Sequence, residues 1–169
     1  MNPLADVLLV IDLQNGVCHT GEDTIYQFEK LITLVNSRIT CYQAKNRPII
    51  FVQHTEEGLE IESSAWELVP ELFQSAKHHF IGKTHANAFY RTSLQELLIE
   101  LGVNSIELCG AQTQYCMDAT IKVAHSLGYQ LYMLKSATTT YDDDLLSAPD
   151  MIRFYEQIWD TRFLTLVDT

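Results

Sequence analysis

Cys116 lies in the stretch GAQTQYCMDATIKVA (110–124), where small and polar residues give way to an amphipathic run with the spacing of a helix. A free cysteine is usually an inert core residue, so its chemistry depends on its neighbours. Two other residues are placed to supply it: Asp12 closes the apolar run VLLVI (7–11), and Lys83 follows HHFIG (78–82). Singly, such an Asp is ordinarily a turn or cap residue and such a Lys a solvated charge. Together with a thiol they make a nucleophilic set. A cation and the first turn of a helix both lower a thiol pKa from its usual value of about 8.5. A carboxylate can take the thiol proton and return it to a leaving amine. The unpaired N–H groups of a helix start can receive an oxyanion.

The flanking elements must bring these residues together. VLLVI is a continuous β-branched and leucine run, the pattern of a strand buried on both faces. Further strands are expected at PIIFVQ (48–53), HHFIG (78–82), SIELCG (105–110), YQLYML (129–134) and RFLTLV (162–167). Between them, Ile25, Phe28, Leu31, Ile32, Val35, Ile39 and Tyr42 recur at three- and four-residue steps, predicting a helix over about 23–45. Ser93 with Glu96, and Ser147 with Asp150, read as capping boxes ahead of two more helices, and Pro149 suits a first helical turn. The expectation is an α/β fold: one domain over 1–169, built on an open, mainly parallel six-stranded sheet with helices on both faces. In such sheets ligands bind beyond the carboxyl ends of the strands, which is where Asp12, Gln53, His54, Lys83 and the 110–116 loop fall. Residues 54–77 read as a long loop with at most one helical turn, and loops of that length tend to be functional.

Composition narrows the function classes. With 11 basic against 22 acidic residues, a net charge of −11, and basic residues scattered singly, nucleic acid is not an expected partner. The start MNPLADVLLVID carries no basic leader, and no stretch approaches the roughly 20 apolar residues of a membrane span. A cytoplasmic protein without membrane contact is expected. The four cysteines, 18, 41, 109 and 116, form no CxxC pair, so free thiols are expected, with neither a zinc site nor a disulfide framework.

Four motifs, VLLVIDLQN (7–15), FVQH (51–54), IGKTHANAFYRTSL (81–94) and CGAQTQYCMDATIKVA (109–124), resemble in order and spacing those of the isochorismatase-like cysteine hydrolases, a superfamily that includes nicotinamidases and N-carbamoylsarcosine amidohydrolases. The resemblance implies Asp12 as acid/base, Lys83 as orienting cation and Cys116 as nucleophile. It also implies a cis peptide between Ala111 and Gln112, and an oxyanion hole made by the N–H groups of Gln112 and Cys116. The implied reaction is hydrolysis of an amide or carbamoyl C–N bond of a small molecule through a thioester, with no cofactor. Relatives commonly form homo-oligomers, and that expectation is carried over. Two departures bear on substrate. After the second strand the chain reads Gln53-His54-Thr55 and lacks the Asp-x-His pair with which nicotinamidases hold a metal. Adjacent His78 and His79 on a strand point to opposite faces, so no metal is expected. Gly16-Val17-Cys18 stands where many relatives carry an Asp-Phe pair, which removes an aromatic clamp.

Weaker candidates for substrate contact are Gln14, Gln53, His54, Phe89 and Tyr115. Asn15, Thr84 and Thr113 read as turn-bracing residues, Trp66 as a lid or oligomer contact, and Cys109 as core. Four rival readings differ in kind. A nucleotide-binding module lacks support, because LQNGVCHTG after the first strand offers neither GxGxxG nor a Walker lysine. A catalytically silent binding or scaffold protein of the same fold is allowed, since fold does not guarantee chemistry. Vinyl-ether hydrolysis is disfavoured by the presence of Cys116. A thiol redox sensor would pair Cys116 with Cys18 or Cys109.

Overall fold

The computed structural model describes residues 4–168. Its centre is β1 (Val7–Ile11), whose five side chains are all fully buried. Leu8–Ile11 pair on one side with β4 (Ile49–His54), and Val7–Ile11 on the other with β6 (Ser105–Ala111). Beyond β4 lies β5 (His79–Lys83); beyond β6 lie β7 (Gln130–Leu134) and β9 (Thr165–Val167). The spatial order is β5-β4-β1-β6-β7-β9, and every pairing in this sheet is parallel. The chain therefore builds outward from β1 in one direction, returns, and builds outward in the other. The edge beyond β1 and β6 is the reversal point at which open α/β sheets place ligands.

The six long strands fall where the apolar runs predict them, with the sixth shortened to Thr165–Val167. The sheet nevertheless has seven strands rather than six. The extra one, β8 (Thr138–Thr139), pairs with Gly110 and Ala111 at the end of β6. Its threonines are buried, but two polar residues carry no apolar run and read in sequence as part of a turn.

The helix expected from residue 23 begins later, as α2 (Phe28–Ala44). Before it, Asp23–Thr24 (β3) pair with His19–Thr20 (β2), and the short α1 (Asn15–Cys18) precedes both. The apolar stripe of α2 is buried as its spacing requires, from Phe28 through Tyr42. A buried ion pair ties α2 to β6: Arg38 donates to both carboxylate oxygens of Glu107 at 2.6 Å, and Tyr42 Oη donates to Oε2 at 2.9 Å. Next come α3 (Leu94–Glu100), α4 (Asp118–Ser126) and α5 (Ala148–Trp159). Ser147 caps α5 and Pro149 lies in its first turn, as predicted. Ser93 makes no capping bond to α3. Its backbone lies at φ −88°, ψ 10°, outside the extended region a capping residue normally adopts.

Gly110 makes the fit of β6 beside β1 possible. At φ +133° its backbone runs so close to β1 that a Cβ would lie 2.1 Å from the Ile11 carbonyl oxygen, a separation only glycine avoids. No helix among the described residues is long and apolar enough to cross a membrane.

Candidate active site

Asp12, His54 and Lys83 stand at the carboxyl ends of β1, β4 and β5, and Cys116 follows β6. Asp12 and Lys83 are each only 2% exposed. The Lys83 ammonium lies 2.8 Å from Asp12 Oδ2, 3.1 Å from Cys116 Sγ and 2.9 Å from His54 Nδ1. An ammonium has three protons, and here there is one partner for each. Because Nδ1 accepts from the ammonium, the imidazole proton belongs on Nε2, which faces Glu56 Oε2 at 3.4 Å. Asp12 Oδ1 is buried without a hydrogen-bond partner.

Among the described residues, Asp12, His54 and Cys116 are the one grouping whose ligand atoms lie close enough, within 4.8 Å of one another, to hold a metal ion. A carboxylate, an imidazole and a thiol would suit a divalent ion. Lys83 Nζ already bonds to all three residues, so a metal would compete with a buried lysine cation.

Cys116 is not at the first turn of a regular helix. It sits in a π-helical turn, Thr113–Met117, that leads into α4. The Ala111–Gln112 peptide just before this turn is cis. The Gln112 carbonyl accepts from the N–H groups of Tyr115 and Met117. Trp159 Nε1 donates to Asp118 at 2.8 Å, fastening the start of α4 to α5.

The expected lowering of the thiol pKa does not occur. Burial pushes Cys116 up to about 12, the neighbouring Asp12 charge adds to the rise, and Lys83 opposes it without prevailing. Burial also lifts Asp12 above the usual carboxylate range, against the pull of Lys83. The thiol is thus held neutral beside a carboxylate whose affinity for a proton is raised. Such a pair suits proton transfer during bond formation better than a standing thiolate.

A cavity of about 450 Å³ opens over this cluster, lined by Asp12, His54, Gln112, Tyr115 and Cys116, by Val17 and His85, and by two residues not singled out from sequence, Glu56 and Leu59. Glu56 and Leu59 belong to the long loop after β4, which contains no helix beyond a single turn in which the Ser63 carbonyl accepts from the Trp66 and Glu67 N–H groups. That loop is pinned to α1: Asn15 and Gly16 N–H groups donate to the carbonyls of Glu67 and Ala65. A Cβ on Gly16 would lie 2.6 Å from Leu59 Cδ2. The same Cβ would stand 3.0 Å from Ala65 Cβ and 3.2 Å from its carbonyl oxygen, so α1 and the loop are in close contact here. A larger hollow, about 920 Å³, lies between α2 and α5 and contains none of the Asp, Lys and Cys set.

Three of the weaker candidates do not face the cavity. Gln14 is fully buried and its amide is engaged by backbone, accepting from His54 N–H and donating to the carbonyls of His54 and Trp66. Gln53, 6% exposed, donates to the Trp66 carbonyl. Phe89 stacks on Tyr129 and packs against the core. Tyr115 lies exposed at the cavity mouth. Trp66 donates to Thr55 Oγ1 and serves as a loop anchor. Thr113 bonds Thr138 across to β8, and Cys109 is core.

A family model described as "Isochorismatase domain" matches residues 6–153. The chain is 28% identical over 142 residues to the uncharacterized isochorismatase family protein YddQ of Bacillus subtilis, covering 81% of this chain and 79% of that protein. It is 25% identical to nicotinamidase 3 of Arabidopsis thaliana, covering 83% and 76%. A solved structure described as an isochorismatase family protein superposes with a TM-score of 0.93 at 42% identity, covering 95% of this chain and 96% of that one.

Proposed function

The chain belongs to the isochorismatase family of hydrolases, and on that premise we propose that it hydrolyses a C–N bond, amide or carbamoyl, of a small molecule with Cys116 as nucleophile. The observation that carries the reading is the division of labour at Asp12. Its Oδ2 holds Lys83, which also contacts Cys116, while its Oδ1 is buried without a hydrogen-bond partner in a carboxylate that lies within 4.8 Å of the thiol. Oδ1 is the acceptor the thiol proton needs.

As Sγ bonds to the substrate carbonyl carbon, its proton passes to Asp12 Oδ1 and the carbonyl π electrons move onto oxygen. The N–H groups of Gln112 and Cys116 stabilise that oxyanion. The tetrahedral adduct collapses, the C–N bond breaks, and Asp12 gives its proton to the leaving nitrogen. Water then attacks the thioester, Asp12 takes a water proton, the C–S bond breaks, and the thiol is reprotonated. Lys83 holds carboxylate and sulfur in register throughout, and His54 fills its third donor direction. Nicotinamidase 3, by its name an amidase, supports the C–N reading.

The test is release of ammonia or amine from a panel of primary amides and carbamoyl compounds, with the acyl adduct sought by intact mass. Cys116→Ala is expected to abolish turnover and adduct while the urea unfolding midpoint stays close to that of the parent. Turnover near the parent rate in Cys116→Ala would remove the assignment.

A further inference from the structure

The charge of the cavity defines a class of substrate. Among the described residues no lysine or arginine lines the cavity; Lys83 lies behind it, its side chain is fully buried, and Asp12, His54 and Cys116 receive its hydrogen bonds. It has no proton left for a ligand, and Asp12 balances its charge. Glu56 is different: it lines the cavity, its side chain is 61% exposed, and its near neighbour is His54 Nε2. It therefore stands one imidazole ring away from the Lys83 cluster, on the rim, with its negative charge facing no lysine or arginine of the lining. The protein's net charge of −11 adds to the same potential.

We propose that Glu56 selects substrates bearing a positively charged amino or guanidino group beyond the scissile carbonyl, and that the cavity rejects those bearing a carboxylate there. This rests on the site assignment above, though it concerns what the cavity admits rather than the bond it breaks. A carboxylate at that position meets Glu56 with no lysine or arginine in the lining to offset the repulsion. An ammonium replaces its water with the Glu56 carboxylate, while the reacting carbonyl remains over Cys116. The residue belongs to the long loop after β4, so specificity sits on the loop and chemistry on the strand ends.

Three methanethiosulfonates, two of opposite charge and comparable size and one small and neutral, test the proposal on the intact protein. They carry a trimethylammonioethyl, a sulfonatoethyl or a methyl group, and labelling is read at each cysteine by peptide mass at pH 9. Each reagent transfers its thioalkyl group to the thiolate and releases methanesulfinate, so the rate reports access and charge independently of hydrolysis. Exposed Cys41 supplies the intrinsic cation-to-anion rate ratio. That ratio at Cys116 is expected to exceed the Cys41 value by roughly tenfold, and Glu56→Gln to reduce the excess by about threefold or more. An excess absent at Cys116, or unchanged in Glu56→Gln, overturns the proposal. Failure of even the small neutral reagent to label Cys116 as the pH is raised from 9 to 11, which supplies about a hundredfold more thiolate, overturns it together with the proposed function, because a cavity closed to that reagent is closed to substrate. A cation preference that responds to Glu56→Gln, with no amide of either charge hydrolysed, retains the charge selection and removes the C–N reading alone.

Discussion

Gln14 shows how a residue beside the reacting groups acts without touching substrate. Its amide joins β1 to the end of β4 and to the Trp66 carbonyl through three hydrogen bonds. Gln14→Ala leaves buried backbone groups unpaired and is expected to cost roughly 2–4 kcal/mol, read from urea unfolding. Cys116 carries the contrasting expectation. With its thiol held near 12 by burial, iodoacetamide should label it at pH 7 more slowly than exposed Cys41, with a midpoint well above the ordinary value of about 8.5. A midpoint below that value, found by peptide mass spectrometry against pH, would show a standing thiolate instead.

Among the elements, the two serines that precede helices separate sequence signal from realised contact. Ser147 accepts from the Asp150 N–H and donates to its carboxylate, whereas Ser93 caps nothing. Ser147→Ala should therefore cost about 1 kcal/mol and Ser93→Ala less than about 0.5 kcal/mol, both measured as shifts in chemical unfolding. The same sequence pattern yields two outcomes because Thr92, not Ser93, accepts from the Leu94 N–H at the start of α3. In the sheet, Glu107→Ala strands Arg38 against a buried strand. A loss of roughly 3–5 kcal/mol is expected, visible as a large fall in thermal midpoint.

For the whole molecule, buried thiols, together with the phenol of Tyr42 that burial also pushes up, lower stability at alkaline pH. Burial raises Cys18 and Cys116 to about 12 and Cys109 higher still. Below about pH 8.5 these thiols keep their protons in both states and contribute no pH dependence. Above it the unfolded chain loses protons that the native one retains, so stability falls as pH rises toward 12. Fully buried Cys18 and Cys109 each contribute up to about 1.4 kcal/mol per pH unit to the slope. Urea midpoints should decline between pH 9 and 11 and stay nearly level between 7 and 8. Cys18→Ala should flatten the decline.

The sequence by itself determined the parts that follow from local pattern. Continuous apolar runs are buried on both faces in β1 and β4, and the more mixed runs of β5, β6 and β7 were legible by their length and apolar content, as was the placing of Asp12, His54 and Lys83 at strand ends and of Cys116 in the segment after β6. Tertiary structure alone decided what depends on close approach and desolvation. The polar strand β8 exists because Thr138 and Thr139 meet the end of β6. Gln14, Gln53 and Phe89 turn away from the cavity because backbone groups and the core claim them. Glu56 comes to the rim on a loop that the Asn15 and Gly16 N–H groups pin to α1. The direction of the Cys116 shift was likewise beyond the sequence. The cation that lowers a thiol pKa can be named from residue types, but the burial that outweighs it is a property of the packed fold.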